Sequence, residues 1–112
     1  MSSDSEFIVT TDRVLEAIGA AVDDSGAAAD WTVNDGVLTI ECDDGSKVIV
    51  NRHLANRELW VAGKSGGFHF RPVAGAWLDT RSGQTLSATV SRLLIEQGAV
   101  DGDLDLPVLP VP

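Results

Sequence analysis

The sequence has few of the features that mark secreted, membrane-spanning or nucleic-acid-binding proteins. Its one cysteine, Cys42, excludes an intramolecular disulfide. The N-terminus lacks the basic, apolar and cleavage regions of a secretory signal, and no apolar run approaches the roughly 20 residues that span a bilayer. These absences favour a soluble protein of a reducing cytosol with no membrane partner.

Basic residues are also scarce, since 8 lysines and arginines stand against 17 acids, for a net charge of -9. The signs are separated along the chain: residues 1–44 hold eleven acids and one base, whereas residues 45–81 hold six bases and two acids. An acidic surface repels phosphate backbones, so nucleic acid is excluded as a partner. The acidic segment should attract cations or a basic protein, and the middle segment suits an acidic surface.

Only four prolines occur, and three of them lie in the last six residues. Two segments, from about residue 4 to 23 and from 84 to 97, repeat apolar residues at three- and four-residue intervals and predict amphipathic helices. Between them the period changes to two, with tight turns such as Asn34-Asp35-Gly36, which predicts an antiparallel meander of five to six short strands. The pattern therefore predicts an α+β fold, a two-layer α-β sandwich with both helices on one face of the sheet.

A length of 112 residues suits one domain with a single core. We place this domain in residues 1–98, because Gly98 should stop the second helix, and we treat residues 99–112 as an acidic to proline-rich tail. Two interpretations of the tail stay open. Leu104, Leu106 and Leu109 either close the gap between the helices or belong to a disordered segment.

Trp60 is the most informative single residue of the predicted sheet. If Leu59 and Val61 point to the core, strand alternation places Trp60 on the face without helices. Tryptophan is enriched in interface hot spots, and Lys47, Asn51 and Arg52 lie on a nearby strand. We favour a partner-binding surface over the alternative, in which a neighbouring loop covers the indole and the ring only packs.

Acidic residues along the first helix and the next strand edge form a candidate metal surface. Its members are Asp12, Glu16, Asp23, Asp24 and Asp30. Dispersed carboxylates of this kind would hold hard cations weakly, through few direct ligands and many waters. The equal alternative is a solvated face that only keeps the domain soluble.

No catalytic set is apparent. His53, expected in a loop, and His69, expected on the outer face of the sheet, have no metal-ligand spacing with each other or with Cys42. Cys42 aligns with Leu38 and Ile40, which predicts a buried thiol rather than a nucleophile. No phosphate-binding glycine loop is present, so we expect a protein that is not an enzyme.

Several colinear motifs give the chain a resemblance to a known family. They are SEF at residues 5–7, NDGVLTI at 34–40, GSKVIVNR at 45–52, LWVA at 59–62, GGFHF at 66–70 and WLDTRSG at 77–83. In these motifs the chain resembles the bacterial frataxins, the CyaY family, over about residues 4–98. The resemblance implies the same sandwich of two helices on an antiparallel sheet.

The resemblance also implies a function. It implies a monomeric bacterial cytoplasmic regulator of iron–sulfur cluster assembly that docks on the cysteine desulfurase and the scaffold protein. Iron would be bound weakly and reversibly on the acidic surface, and the sheet face with Asn51 and Trp60 would meet the desulfurase and scaffold complex. A ferroxidase or iron store, and an acidic adaptor without a metal role, remain the alternatives.

Departures from the family pattern fall on both expected surfaces. Gly19, Ala20 and the alanines at 27–29 stand where the family commonly carries acids, so iron affinity is the property that should change most. His53 and Glu58 stand where the family usually has glutamine. These two residues should therefore alter the partner contacts around Trp60.

Overall fold

The computed structural model describes residues 3–112, so the first two residues of the predicted domain lie outside it. In chain order its elements are α1 (Asp4–Asp24), β1 (Ala29–Asn34), β2 (Val37–Cys42), β3 (Lys47–His53), β4 (Glu58–Gly63), β5 (Gly66–Val73), β6 (Ala76–Asp79) and α2 (Leu86–Glu96). The strands form one antiparallel sheet in the order β1-β2-β3-β4-β5-β6. Both helices pack on the same face, which confirms the predicted fold class.

Helix α1 begins with a capped first turn. The Ser3 hydroxyl accepts a hydrogen bond of 3.1 Å from the backbone N–H of Glu6, and the first turn carries Asp4 and Glu6 at the positive end of the helix dipole. The predicted apolar stripe is buried throughout, at Phe7, Thr11, Val14, Leu15, Ile18 and Val22. Burial of each large apolar side chain contributes about 1.5–3 kcal/mol, so this stripe fixes the helix on the sheet.

Glycine allows α1 to approach β1 closely. A methyl group added at Gly19 would lie 2.5 Å from Cε3 of Trp31, which packs flat against the helix at that point. Trp31 and Trp77 therefore serve packing. Trp77 is buried and meets Phe7 edge to face, with ring centroids 6.2 Å apart.

The first hairpin shows why its turn has the sequence Asn34-Asp35-Gly36. Asp35 and Gly36 both have positive φ, 51° and 78°, as a tight two-residue hairpin turn requires. Gly36 also lies directly against the side chain of Arg52, where an added methyl group would come within 2.8 Å of Cζ. The turn thus supports the guanidinium group from one side.

The tail packs on the core. Leu104 and Leu109 are buried, Leu106 is half-buried, and the Nε1–H of Trp77 donates a hydrogen bond of 2.8 Å to the carbonyl of Pro110. The backbone N–H of Leu104 donates to the Ser91 hydroxyl of α2 at 3.0 Å. Of the two interpretations, the structure thus has the leucines pack with the helices. Between residues 3 and 112, no helix is both long enough and apolar enough to cross a membrane.

Candidate functional site

Trp60 lies on the sheet face that carries no helix. Its neighbours along β4, Leu59 and Val61, are buried in the core, and alternation turns the indole the other way, as predicted. Its cross-strand partners in the ladder are Asn51 on β3 and His69 on β5. The side chains of all three are thus on one face, in one row across three strands.

Two imidazole rings sandwich the Trp60 indole. The His53 ring stacks on one face at 3.8 Å between centroids and 9° between planes, and the His69 ring stacks on the other at 4.3 Å and 7°. Trp60 is half-buried as a result. The sequence predicted an uncovered ring; the structure leaves its edge accessible and covers both flat faces with side chains of the neighbouring strands.

His53 was expected in a loop, and this assignment is wrong. His53 is the last residue of β3 and pairs with Glu58, the first residue of β4. Because β3 extends by this one residue, the imidazole reaches across to Trp60. The stack therefore depends on strand pairing that the polar segment after Arg52 gave no reason to expect.

Glu58 fixes the indole from its edge. Its side chain is only 5% exposed, yet both carboxylate oxygens have partners: Oε1 accepts from Nε1 of Trp60 at 2.8 Å, and Oε2 accepts from Nη2 of Arg71 at 2.8 Å. The Arg71 hydrogen bond is the main cause that lowers the pKa of Glu58 from its ordinary 4.5; the Trp60 bond acts in the same direction, whereas desolvation opposes both. Glu58 is thus an ionised, fully partnered acid.

Arg71 is a site residue that the sequence analysis missed, and His69 is one that it placed correctly without assigning a role. Both belong to the outward-facing set of β5, in which residues 67, 69, 71 and 73 alternate with the inward Phe68 and Phe70. This period of two was available in the sequence. The link from Arg71 to Glu58, thirteen residues away, was not, because it depends on the β4–β5 register.

The other predicted partner-binding residues fall into two groups. Asn51 lies directly opposite Trp60, and Lys47 is exposed on the same face at the other end of β3. Arg52 is on the opposite face, where Nη1 lies 2.8 Å from Oδ1 of Asp12 on α1. The structure therefore does not bring Arg52 together with Trp60, since alternation along β3 turns adjacent residues to opposite faces.

The five predicted metal-surface acids are exposed and lie along α1 and at the adjoining end of β1. We call Asp12, Glu16, Asp23, Asp24 and Asp30 the acidic ridge. Asp12 is engaged by Arg52, and within residues 3–112 no three His, Cys, Asp or Glu side chains are grouped closely enough to hold a metal ion. The ridge is a dispersed band of negative charge rather than a coordination site.

Cys42 is buried with 3% exposure, as predicted. Its Sγ lies 3.7 Å from Nε2 of Gln97, the C-cap of α2, and the same amide nitrogen donates a hydrogen bond of 2.9 Å to the Ser46 hydroxyl. The Gln97 side chain also accepts from the backbone N–H of Lys64 at 3.0 Å. The thiol therefore lies where α2 joins the turns of the sheet, away from the outer face.

Comparison with known families settles the relationship that these features indicate. The family model described as a frataxin-like domain matches residues 1–99. The chain belongs to the frataxin family. The outer sheet face with Trp60 and the acidic ridge are therefore features of a frataxin domain.

Curated frataxin relatives are similar over most of the chain. The iron-sulfur cluster assembly protein CyaY of Ralstonia nicotianae is 43% identical over 103 residues, which cover 88% of this chain and 91% of the relative. The protein of the same name from Neisseria meningitidis serogroup B is 46% identical over 84 residues, covering 75% and 78% of the two chains.

Solved frataxin structures share the fold. The frataxin of Psychromonas ingrahamii superposes with a TM-score of 0.84 at 31% identity, over 93% of this chain and 97% of that one. A trimeric frataxin of the yeast Saccharomyces cerevisiae, complexed with ferrous iron, gives a TM-score of 0.60 at 22% identity, over 88% and 87% of the chains. At that lower identity the likeness concerns the fold alone.

Proposed function

We propose that this protein is a non-enzymatic regulator of iron–sulfur cluster assembly in the bacterial cytoplasm, acting as a monomer that docks on the cysteine desulfurase and the scaffold protein. Membership of the frataxin family and the shared name of the curated relatives support the process. The observation that carries the docking role is the His53–Trp60–His69 stack on the helix-free face.

The stack suits recognition because it removes the freedom of the indole before a partner arrives. Stacking on both sides and the hydrogen bond from Nε1 to Glu58 hold the ring in one orientation. A side chain that is already ordered loses little conformational entropy on binding, which otherwise costs about 0.5–1.5 kcal/mol for each mobile side chain. Trp60 therefore has the properties of an interface hot spot, with Asn51 beside it.

The acidic ridge supplies a second contact, of a different kind. Asp12 is paired with Arg52, and the other four acids lie exposed along α1 and the adjoining end of β1, so their charge adds to a long-range negative field. Such a field accelerates encounter with a basic region of the desulfurase, and salt screens it. The ridge thus steers association, whereas Trp60 provides the short-range contact.

Iron enters this proposal as cargo or signal rather than as a resident cofactor. The residues of the ridge do not fit a closed iron site, because they are dispersed and Asp12 is held by Arg52. Exposed carboxylates in a negative field still attract divalent cations through their hydration shells. We therefore expect weak, labile ferrous binding, and no step of docking depends on it.

A reconstituted cluster-assembly assay with the purified desulfurase and scaffold tests the proposal. The protein should change the rate of cluster formation, and Trp60→Ala should weaken binding to the complex by about tenfold or more, as expected for a hot spot. Ile95→Ala, an exposed apolar residue of α2 on the other layer, is the matched control and should bind like the wild type.

Three results would contradict the proposal. A Trp60→Ala variant that binds like the wild type would remove the docking role of the stack. An unchanged rate of cluster formation across iron concentrations would remove the regulatory role. Oxygen consumption with ferrous iron above background, followed by growth of particle size, would instead support an iron-oxidising store.

A further inference from the structure

The exposed ionisable side chains beside Trp60 are basic. On the outer faces of β4 and β5 they are His69 and Arg71, whereas the acid of this area, Glu58, is buried beneath them. Lys47, at the far end of β3, lies opposite the exposed Glu41 of β2 and adds no net charge to this face. Both oxygens of Glu58 are already used by Trp60 and Arg71. An approaching partner therefore meets basic groups next to the indole, although the molecule as a whole carries a net charge of -9.

Arg71 is positioned to bind a carboxylate of another molecule. One of its nitrogens, Nη2, donates to Glu58 Oε2 at 2.8 Å, while the side chain remains 59% exposed. A guanidinium group has five N–H donors in a fixed planar fork, so most of them stay available on the solvent side. Glu58 orients the fork and leaves its outward donors for an acidic group of another molecule.

Trp60 limits which groups of a partner can lie beside a carboxylate that Arg71 binds. Its flat faces are covered by the imidazoles, and its one N–H is donated to Glu58. The part of the ring left to a partner is its apolar edge. A cation or a second stacked ring has no ring face to occupy, so the complementary group is an aliphatic side chain or the edge of an aromatic ring.

We propose that the outer face of β4 and β5 binds an acidic segment of the assembly partner that covers Trp60, with a carboxylate on Arg71 and His69 and an apolar side chain against the indole edge. This inference rests on the proposed function and names the chemistry of its partner. The domain then has two contact surfaces of opposite sign, the acidic ridge for a basic region and the Arg71 surface for an acidic one. Interfaces of this kind place apolar contact at the centre and charge at the rim.

The test neutralises the surface without leaving a buried charge. The double variant Glu58→Gln with Arg71→Gln removes the exposed guanidinium, and the amide introduced at position 58 retains an oxygen for the Trp60 N–H. Binding to the purified desulfurase–scaffold complex should weaken by about tenfold, because a charge-assisted hydrogen bond is lost. The salt dependence of the affinity should become shallower. Lys64→Gln, which removes an exposed base at the β4–β5 turn, is the matched control and should leave affinity unchanged.

A second variant keeps the proposal testable if the double variant is unstable in a thermal melt. Arg71→Lys preserves the charge over Glu58 but replaces the planar fork with a point charge, and affinity should fall by roughly threefold to tenfold. Wild-type affinity in both folded variants would overturn the acidic-partner inference.

Trp60→Ala separates this inference from the proposed function. If Trp60→Ala still weakens binding while the Arg71 variants do not, the docking role stands and the acidic-partner inference fails. If Trp60→Ala also binds like the wild type, the docking role itself fails. Sedimentation of the free protein tests the remaining possible occupant, a second copy of this chain. A dimer that dissociates when Arg71 is replaced would show that this surface binds the acidic ridge of a second copy, which would contradict the proposal.

Discussion

Arg52 of β3 and Asp12 of α1 form an ion pair across the two layers of the sandwich, with Nη1 2.8 Å from Oδ1. The Arg52 side chain is 14% exposed and is supported from below by the turn at Gly36, so the guanidinium has little room to move away. One of the five carboxylates of the acidic ridge is thereby neutralised by the fold itself. The ridge that a cation meets consists of Glu16, Asp23, Asp24 and Asp30.

Release of Asp12 should strengthen cation attraction to the ridge. In Arg52→Gln the carboxylate loses its partner and the molecule loses one positive charge, so ferrous ion should bind roughly twofold to fivefold more tightly at low salt. Anaerobic calorimetric titration measures this. Arg13→Gln is the matched control, since it removes the same charge at the position of α1 that follows Asp12. Equal effects in the two variants would show that the Arg52–Asp12 pair does not influence cation binding.

Gly19→Ala should destabilise the protein, although alanine is the better helix former. In an exposed helix interior this change stabilises by about 1 kcal/mol. Here the added methyl group would lie 2.5 Å from Trp31, so the indole or the helix must shift, and we expect a net loss of about 1–3 kcal/mol in the free energy of unfolding. Urea unfolding measures it. Ala20→Gly at the exposed neighbouring position should cost only the propensity difference.

Removal of residues 103–112 should cost about 3–5 kcal/mol of unfolding free energy. The truncation exposes the surface that Leu104 and Leu109 cover and leaves the buried N–H of Trp77 without the Pro110 carbonyl. Urea denaturation of the truncated chain measures the loss. Leu109→Ala should reproduce a part of it, whereas Val108→Ala, at a side chain with 95% exposure, should have no effect; equal effects of the two would contradict the packing of the tail.

Low pH should destabilise the protein, in part because Glu58 becomes protonated. Its pKa is lowered in the folded state, chiefly by the Arg71 hydrogen bond, so its contribution is complete above the ordinary value of 4.5 and is lost as the pH falls through the folded-state pKa. Wild type should therefore be more stable than Glu58→Gln at pH 7, and the difference should shrink below pH 4.5. A difference that stays constant down to pH 2 would contradict this assignment.

Asp44 must be controlled in that experiment. Hydrogen bonds from the hydroxyl and the backbone N–H of Ser46 lower the pKa of Asp44 from 3.8 to about 2, so it also loses its contribution in strong acid. Measuring wild-type Glu58 and Glu58→Gln in a common Asp44→Asn background leaves Asp44 out of the comparison. The remaining pH dependence of the difference then belongs to Glu58.

The sequence was sufficient to predict the two layers of the sandwich and the side of the sheet on which Trp60 lies, because both follow from local periods of 3.6 and 2 residues. It was insufficient for the environment of the indole. His53 was expected in a loop and Glu58 at the start of a strand, and only the β3–β4 register makes them a pair beside Trp60. Arg52 was placed near Trp60 by its position in sequence, although the same alternation turns it to α1. Charges buried by long-range pairing, such as Glu58 with Arg71, leave no periodic signal.

The tail shows a second reason for incomplete prediction. Its leucines and prolines lack any regular period, so packing and disorder are equally compatible with the sequence. What decides between them is the space on the apolar core that Leu104 fills next to Ser91 of α2 and that Leu109 fills next to Trp77. That space depends on the three-dimensional arrangement of both helices.

The lone thiol of Cys42 provides a chemical readout of local opening. Because its sulfur is enclosed beside the Gln97 amide where α2 meets the sheet, an alkylating reagent can reach it only when that helix end separates from the strands. The rate of alkylation in the folded protein therefore measures how often this end of α2 separates from the sheet, and the measurement needs no engineered label. The same measurement made while the outer face is occupied would show whether docking on one side of the sheet tightens the other.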